Sequence, residues 1–334
     1  MCIKNATFGI LLIKLLLSLH LRGGDGATKP CDIGTKMKDF SLSCQDSVSC
    51  TFSFEVEQLL SVEDHDGDAG NSSNERDTRP YDLFLMMGLK PSFLELKREK
   101  RKASKGYTGI AIRPGMVLLK NYLSINDQVM IVNKCRNLGL GEGGFYQPGF
   151  QNGRSLHLKM MCLGKNWDCE THQYGETRPF DGSMPPKIPV EFNQFVENAI
   201  EESQSLLATN SKKTKGRDGI PFMSPDICIV NFYTSTGRLR LHQDKDESQK
   251  SIMKGLPIVS FSIGDSAEFL YGDQRDDDKA EMVVLESGDV LLFGGESRNV
   301  FHGVRSILKG TAPKALLQET SLRQGRLNLT FRKY

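Results

Sequence analysis

Three side chains in the last third of this chain have the types and spacing of a metal centre. They are His242 and Asp244 in RLRLHQDKDES, and His302 in FGGESRNVFHGV. Two imidazoles and one carboxylate can occupy one face of an iron(II) ion and leave the opposite face open to other ligands. His242 and Asp244 lie two apart, so an extended segment points both the same way, and His302 must come from a different strand. Behind them runs RLNLTFRKY, in which Arg326, Asn328, Thr330 and Arg332 alternate with Leu327, Leu329 and Phe331. That period of two predicts a strand with one polar and one apolar face. Asn231 and Tyr233 share one face of the predicted strand leading into the HxD and add neutral donors.

An arginine fork holds a carboxylate through two parallel charge-assisted hydrogen bonds. Two arginines on a strand face behind an open metal site therefore call for a cosubstrate with carboxylates. The pairing points to a 2-oxoglutarate-dependent iron dioxygenase. A barrel interior with a polar face is the reverse of a packed core and needs a charged occupant. Zinc hydrolysis is the chemical competitor, because histidine and carboxylate ligands also suit zinc, yet it gives the arginine strand no role. An HxD alone is common by chance. An HxD, a second histidine sixty residues on and an arginine-bearing strand make a far narrower pattern.

The elements that must position these residues read as short strands at Ile227–Tyr233, 258–263, 267–271, 282–286, Val290–Phe293 and Arg326–Arg332. Gly and Asp punctuate them, which suggests a β-sandwich or barrel. Upstream, residues 116–119 read as a buried strand. Ser124 is placed to cap a helix over 126–137, and Gly139 to stop it. A second helix is predicted from near Pro189, with Phe192, Phe195, Ala199, Ile200, Leu206 and Leu207 forming a core stripe. Residues 211–219 read as a basic loop, and the acidic run 273–278 as a solvated hairpin loop.

Ordered structure is expected to begin near Gly109, with residues 1–105 largely disordered. Residues 61–80 have almost nothing to bury. Between positions 55 and 82 nine acidic residues face only Arg76 and Arg79, whereas six of the nine residues in 97–105 are basic. The whole chain carries a formal charge of only +2. From 226 onward there are 15 basic and 15 acidic residues, so attraction to nucleic acid must come from upstream or from local geometry. The eight cysteines have no CxxC spacing and read as reduced thiols rather than a disulfide framework. Residues 8–21 are apolar but interrupted by Lys14, and fall short of the ~20 residues a membrane span needs. The expected compartment is the nucleus, the cytoplasm or both, with an organelle address left open and secretion not expected. No membrane partner is expected, and the chain is expected to be a monomer.

The stretch from 226 to 334 closely resembles the AlkB family of iron(II)- and 2-oxoglutarate-dependent dioxygenases. The resemblance rests on NFYTSTGRLRLHQDKDES, LPIVSFSIGDSAEFLYGDQRDDD, ESGDVLLFGGESRNVFHGV and RLNLTFR, the last fitting an Arg-x-Asn-x-Thr-x-Arg signature. It continues more weakly upstream to about Gly109, and the wording resembles the plant homologues within the family.

The resemblance implies a mainly β fold with flanking helices. Residues 226–334 would form a double-stranded β-helix (jelly-roll) catalytic core, and 106–225 an N-terminal α/β substrate-recognition lid with supporting helices. His242, Asp244 and His302 would hold Fe(II). Arg326 would pair with the distal carboxylate of 2-oxoglutarate, helped by Tyr233 and Asn328, while Arg332 and Asn231 lie nearer the metal-chelating end. With O2 as the other cosubstrate, an N-methyl group would be hydroxylated and lost as formaldehyde, leaving succinate and CO2. Trp167 is the only tryptophan, and Lys165, Asn166, Asp168 and Glu170 around it argue for a rim position. Enzymes acting on a base extrude it and stack it on aromatic faces, so Trp167 would stack a methylated DNA or RNA base against His242. Asp246 would then read an exocyclic amine, while Tyr174 and Lys245 would touch phosphate. A dioxygenase acting on a protein or small molecule is the alternative.

Overall fold

A computed structural model of the chain describes residues 81–84, 97, 106–149, 155–210 and 219–334. The apolar run 8–21, the acidic and polar tracts through residue 80, the basic run beyond Lys97 and the basic loop 211–218 lie outside the described residues. In chain order the elements are β1 (Thr108–Arg113), β2 (Met116–Lys120), α1 (Ile125–Gly139), β3 (Lys159–Leu163), β4 (Asn166–Asp168), β5 (Gln173–Gly175) and α2 (Val190–Asn210). They continue with β6 (Ile227–Tyr233), β7 (Leu239–His242), α3 (Gln249–Met253), β8 (Ile258–Gly264), β9 (Ser266–Gly272) and β10 (Glu281–Leu285). The last are β11 (Val290–Phe293), β12 (Phe301–Leu308), α4 (Lys314–Thr320) and β13 (Arg326–Arg332).

Seven strands form one antiparallel sheet in the order β1-β2-β11-β8-β13-β6-β3, and four form a second, β10-β9-β12-β7. This is the double-stranded β-helix expected from the sequence. Local chemistry explains where the flanking helices start. Ser124 caps α1 by accepting from the Asp127 amide, while the Asp127 carboxylate accepts from the Ser124 amide at 3.0 Å, which satisfies two otherwise orphaned donors. Gly139 does not end α1, which runs through it to a cap at Leu140. A Cβ at Gly139 would drive into the Phe145 ring, so that glycine serves close packing rather than a stop.

β13 organises the core from both faces. Leu327, Leu329 and Phe331 are fully buried and pack with Ile131 and Val132 of α1 and Phe192, Val196, Ala199 and Ile200 of α2. The opposite face is equally shielded, with Arg326, Asn328 and Arg332 all buried. Alternation along β13 therefore separates the helix layer from the space between the sheets, not core from solvent.

Two expectations need correction. Residues 226–334 are not a structural unit of their own, because β1, β2 and β3, from the predicted lid segment, are strands of the seven-stranded catalytic sheet. Nor does order begin near Gly109. Residues 81–84 dock across the domain, with Leu83 wholly buried in the main core. Phe84 bridges to Leu322, the Leu83 carbonyl accepts from the Arg323 amide at 2.7 Å, and the Asp82 carboxylate binds Arg136 at 3.0 Å. Leu83 stands in the short apolar run YDLFLMM, which has no clear period to read, so only the long-range contacts reveal how it docks.

Candidate active site

The histidine ligands are carried by neighbouring strands of the smaller sheet. His302 on β12 lies directly opposite His242 on β7, and residues facing across a ladder share a side. Three residues of β7 span the same distance as two of β12, from His242↔His302 to Leu239↔Val304. Such an irregularity bends a strand and re-aims its side chains. Gly303 is needed at this point, because a Cβ there would lie 2.5 Å from the Leu239 carbonyl oxygen. The HxD loop then leaves β7 and brings Asp244 between the two rings. One ligand atom from each of His242, Asp244 and His302 lies within 4.8 Å of the others. His242 Nε2 and His302 Nε2 each stand 3.6 Å from a carboxylate oxygen of Asp244.

Each ring is oriented from behind. His242 Nδ1 pairs with the Arg240 carbonyl at 2.9 Å and His302 Nδ1 with the Val300 carbonyl at 3.1 Å. Carbonyls only accept, so each Nδ1 carries a proton and each Nε2 is turned toward the centre. His302 also lies against Phe269 and Phe293. Burial, followed by the neighbouring His242, lowers its pKa to about 4, so it stays neutral and ready to ligate. Burial would raise the Asp244 carboxyl, but Arg332 and the two imidazoles hold it well below the usual carboxylate range. Arg332 donates from Nη2 to Asp244 Oδ2 at 2.6 Å and from Nη1 to the Tyr174 hydroxyl at 3.3 Å.

The second half of the site lies on the inner face of the larger sheet. The register sets Arg326 opposite Tyr233 and Asn328 opposite Asn231 on β6, with Ser262 opposite Asn328 on β8. Arg326 is 1 % exposed. Its Nη2 donates to Ser262 Oγ at 2.9 Å, and its guanidinium sits 5.9 Å from the Tyr233 ring. Its Nε and Nη1 have no partner, and neither has the side-chain Oδ1 of Asn231. Burial lowers the Arg326 pKa to about 10. Asn328 lies on the expected face. Both its amide hydrogens are spent, on Ser260 Oγ and the Phe261 carbonyl at 2.8 Å each. Ser262, which the sequence reading did not single out, is the residue that hydrogen-bonds Arg326.

The proposed substrate residues come from a small hairpin, β4–β5, where Trp167 pairs directly with Tyr174. Trp167 Nε1 donates to Asp246 Oδ2 at 2.9 Å, which ties the hairpin to the loop that carries Asp244. His172, at the hairpin turn with φ 56°, adds its Nδ1 at 3.2 Å from the same oxygen and sets its ring edge-on to Trp167. His172 was not foreseen; a lone histidine in THQYG has no spacing to mark it. Tyr174 turns inward to Arg332, whereas Lys245 is exposed.

The donor set fits an oxygenase metal. Two imidazoles and one carboxylate suit iron(II). A buried guanidinium with two unused N–H groups is costly until an anion meets it, by several kcal/mol per ion. Arg326 therefore fits a carboxylate end of a small diacid, and a hydrolytic zinc site would leave it orphaned.

Comparison with known proteins agrees. Residues 115–332 match the 2OG-Fe(II) oxygenase superfamily, so the site and fold are those of an Fe(II)-, 2-oxoglutarate- and O2-dependent dioxygenase. The chain is 73% identical over 319 residues to the Arabidopsis thaliana protein named DNA N(6)-methyladenine demethylase ALKBH1C, covering 93% of this chain and 70% of that one. It is 39% identical over 224 residues to the Escherichia coli (strain K12) alpha-ketoglutarate-dependent dioxygenase AlkB, covering 66% of this chain and 90% of the relative. A solved structure titled "The structure of OsALKBH1" superposes with a TM-score of 0.65 at 57% identity, covering 68% of this chain and all of that one. The chain belongs to the AlkB family of 2OG-Fe(II) oxygenases. Among the described residues no helix is long and apolar enough to cross a membrane.

Proposed function

We propose that this protein is an oxidative demethylase of N-methylated bases in DNA or RNA. The observation that carries the reading is the hydrogen bond from Trp167 to Asp246. It sets an aromatic plate and a carboxylate acceptor together, two residues from Asp244, on the loop that completes the metal cluster. Base–aromatic stacking contributes about 1–3 kcal/mol per base, and the carboxylate can accept from an exocyclic N–H of adenine or cytosine. The names of the relatives, which include a DNA N(6)-methyladenine demethylase, support the same substrate class.

His242, Asp244 and His302 would hold Fe(II), which with O2 and 2-oxoglutarate supplies the oxidation of an N-methyl group. Arg326, with Tyr233 beside it, would take the far carboxylate of 2-oxoglutarate, and Arg332 and Asn231 would lie toward the metal end. Arg332 keeps one oxygen of Asp244 engaged and leaves the other for the metal. Trp167 would stack the extruded base, and Asp246 would fix which edge is presented. The hydroxymethyl product then breaks its N–C bond, releasing formaldehyde and the free base.

The direct test offers methylated DNA and RNA oligonucleotides to the purified protein with iron, ascorbate and 2-oxoglutarate, with products followed by mass spectrometry. The expected result is the net loss of one CH2 (N–CH3 becoming N–H) from at least one methylated base, with matching formaldehyde and succinate, abolished in Asp244→Ala. No demethylated oligonucleotide in any panel, despite 2-oxoglutarate turnover, would reject nucleic acid as the substrate.

A further inference from the structure

One buried ion pair beside the site has no place in the chemistry described so far. Arg298 is 3 % exposed and Glu247 is 5 % exposed. Arg298 Nη2 donates to Glu247 Oε2 at 2.7 Å, and Nη1 donates to the backbone carbonyl of Asp244 at 2.6 Å. The other oxygen of Glu247 lies 3.1 Å from Nε of Arg332, whose Nη2 holds the Asp244 carboxylate at 2.6 Å. These contacts close a ring. Arg298 grips the main chain of Asp244, Glu247 bridges the two guanidiniums, and Arg332 grips the side chain of Asp244. Two arginines and two carboxylates make the ring neutral.

Stability alone does not explain such a pair. Removing two charges from water costs about as much as their attraction returns, and a well-packed apolar pair of similar volume often does as well or better. The placement supplies another reason. Arg298 follows the 3-10 turn Gly295–Ser297 and stands four residues before His302, whereas Glu247 stands three residues after Asp244. Glu247 and Arg298 thus belong to the two different segments that deliver the carboxylate and the second histidine. A long fork between two segments fixes their relative position far better than either loop could alone.

We propose that Arg298 and Glu247 are positioning residues for the metal centre, a clamp that locks the Asp244 main chain relative to His302. This rests on the reading of His242, Asp244 and His302 as ligands. Partners behind metal ligands typically contribute 10–100-fold to metal affinity, and the clamp belongs in that range.

The test uses the full chain stripped of metal and titrated with Co(II), whose visible absorption reports both affinity and coordination geometry. Wild type is expected to bind one Co(II) and Asp244→Ala to lose it; no binding by wild type would sink the ligand assignment itself. Arg298→Gln leaves the buried Glu247 with Arg332 as its one remaining guanidinium partner, so Arg298→Lys and the charge-neutral double variant Glu247→Gln/Arg298→Gln are made beside it. Each is checked by near-UV circular dichroism and melting temperature. The expected result is a roughly 10–100-fold weaker Co(II) affinity and an altered absorption band in variants with native dichroism. Native-like variants that bind Co(II) within twofold of wild type would overturn the clamp while leaving the metal site intact. Loss of fold in all three, with no recovery on adding Co(II), would make the pair structural only and overturn it equally.

Discussion

At the residue scale, Arg326 is the side chain whose surroundings say most. A guanidinium with 1 % exposure, one serine for a partner and two unpaired N–H groups is half a binding site. Replacing it tests the other half. Arg326→Met should raise the KM for 2-oxoglutarate by roughly 10–150-fold, since a hydrogen bond to a charged group contributes about 1.5–3 kcal/mol. Co(II) affinity should be unchanged, because Arg326 touches none of the three ligands; a parallel loss of metal binding would instead show a collapsed strand. Trp167→Ala separates substrate from cosubstrate in the same way. It should raise the KM for a methylated oligonucleotide about tenfold, in line with ~1–3 kcal/mol for base stacking. Consumption of 2-oxoglutarate without nucleic acid should persist. Equal loss of both activities would mean that Trp167 supports the hairpin and not the base.

At the element scale, β13 and residues 81–84 show two kinds of legibility. β13 was readable because a period of two needs only seven residues, and its bounds agree with the expected Arg326–Arg332. β6 and α1 were readable for the same local reason, the latter through its capping box at Ser124. β7 and β12, the strands that carry the histidines, were not predicted. LRLH is four residues long, and FHGVRSIL has no clean alternation because its register breaks where it meets β7 and β9. Residues 81–84 were misread altogether. Leu83 is as buried as any residue in the core, and Leu83→Ala should cost about 2–5 kcal/mol, measurable by chemical denaturation. A chain starting at residue 96 should accordingly melt well below one starting at residue 81. Equal melting temperatures for the two would show that the docked segment contributes nothing.

At the scale of the whole molecule, the metal should tie β12 to β7 and the loop that follows it, and so stabilise the fold. A ligand that binds only the folded state stabilises it by about 2.7 kcal/mol at a hundredfold excess over its Kd. Co(II) or Fe(II) should therefore raise the melting temperature by several degrees, EDTA should reverse the rise, and Asp244→Ala should show neither effect. An unchanged melting temperature in wild type, under conditions where absorption shows the metal bound, would mean that the unfolded chain binds the ion equally well and that folding assembles no metal centre.

The amino-acid order by itself determined the ligand types, the two-faced β13, the main helices and the family, because each depends on neighbours within a few positions. Only tertiary structure decided that β1, β2 and β3 complete the catalytic sheet, that Ser262 hydrogen-bonds Arg326, and that His172, Glu247 and Arg298 stand beside the centre. Those facts come from pairings between segments tens to hundreds of residues apart. Sheet register and the burial of charge fix them, and no local period records either.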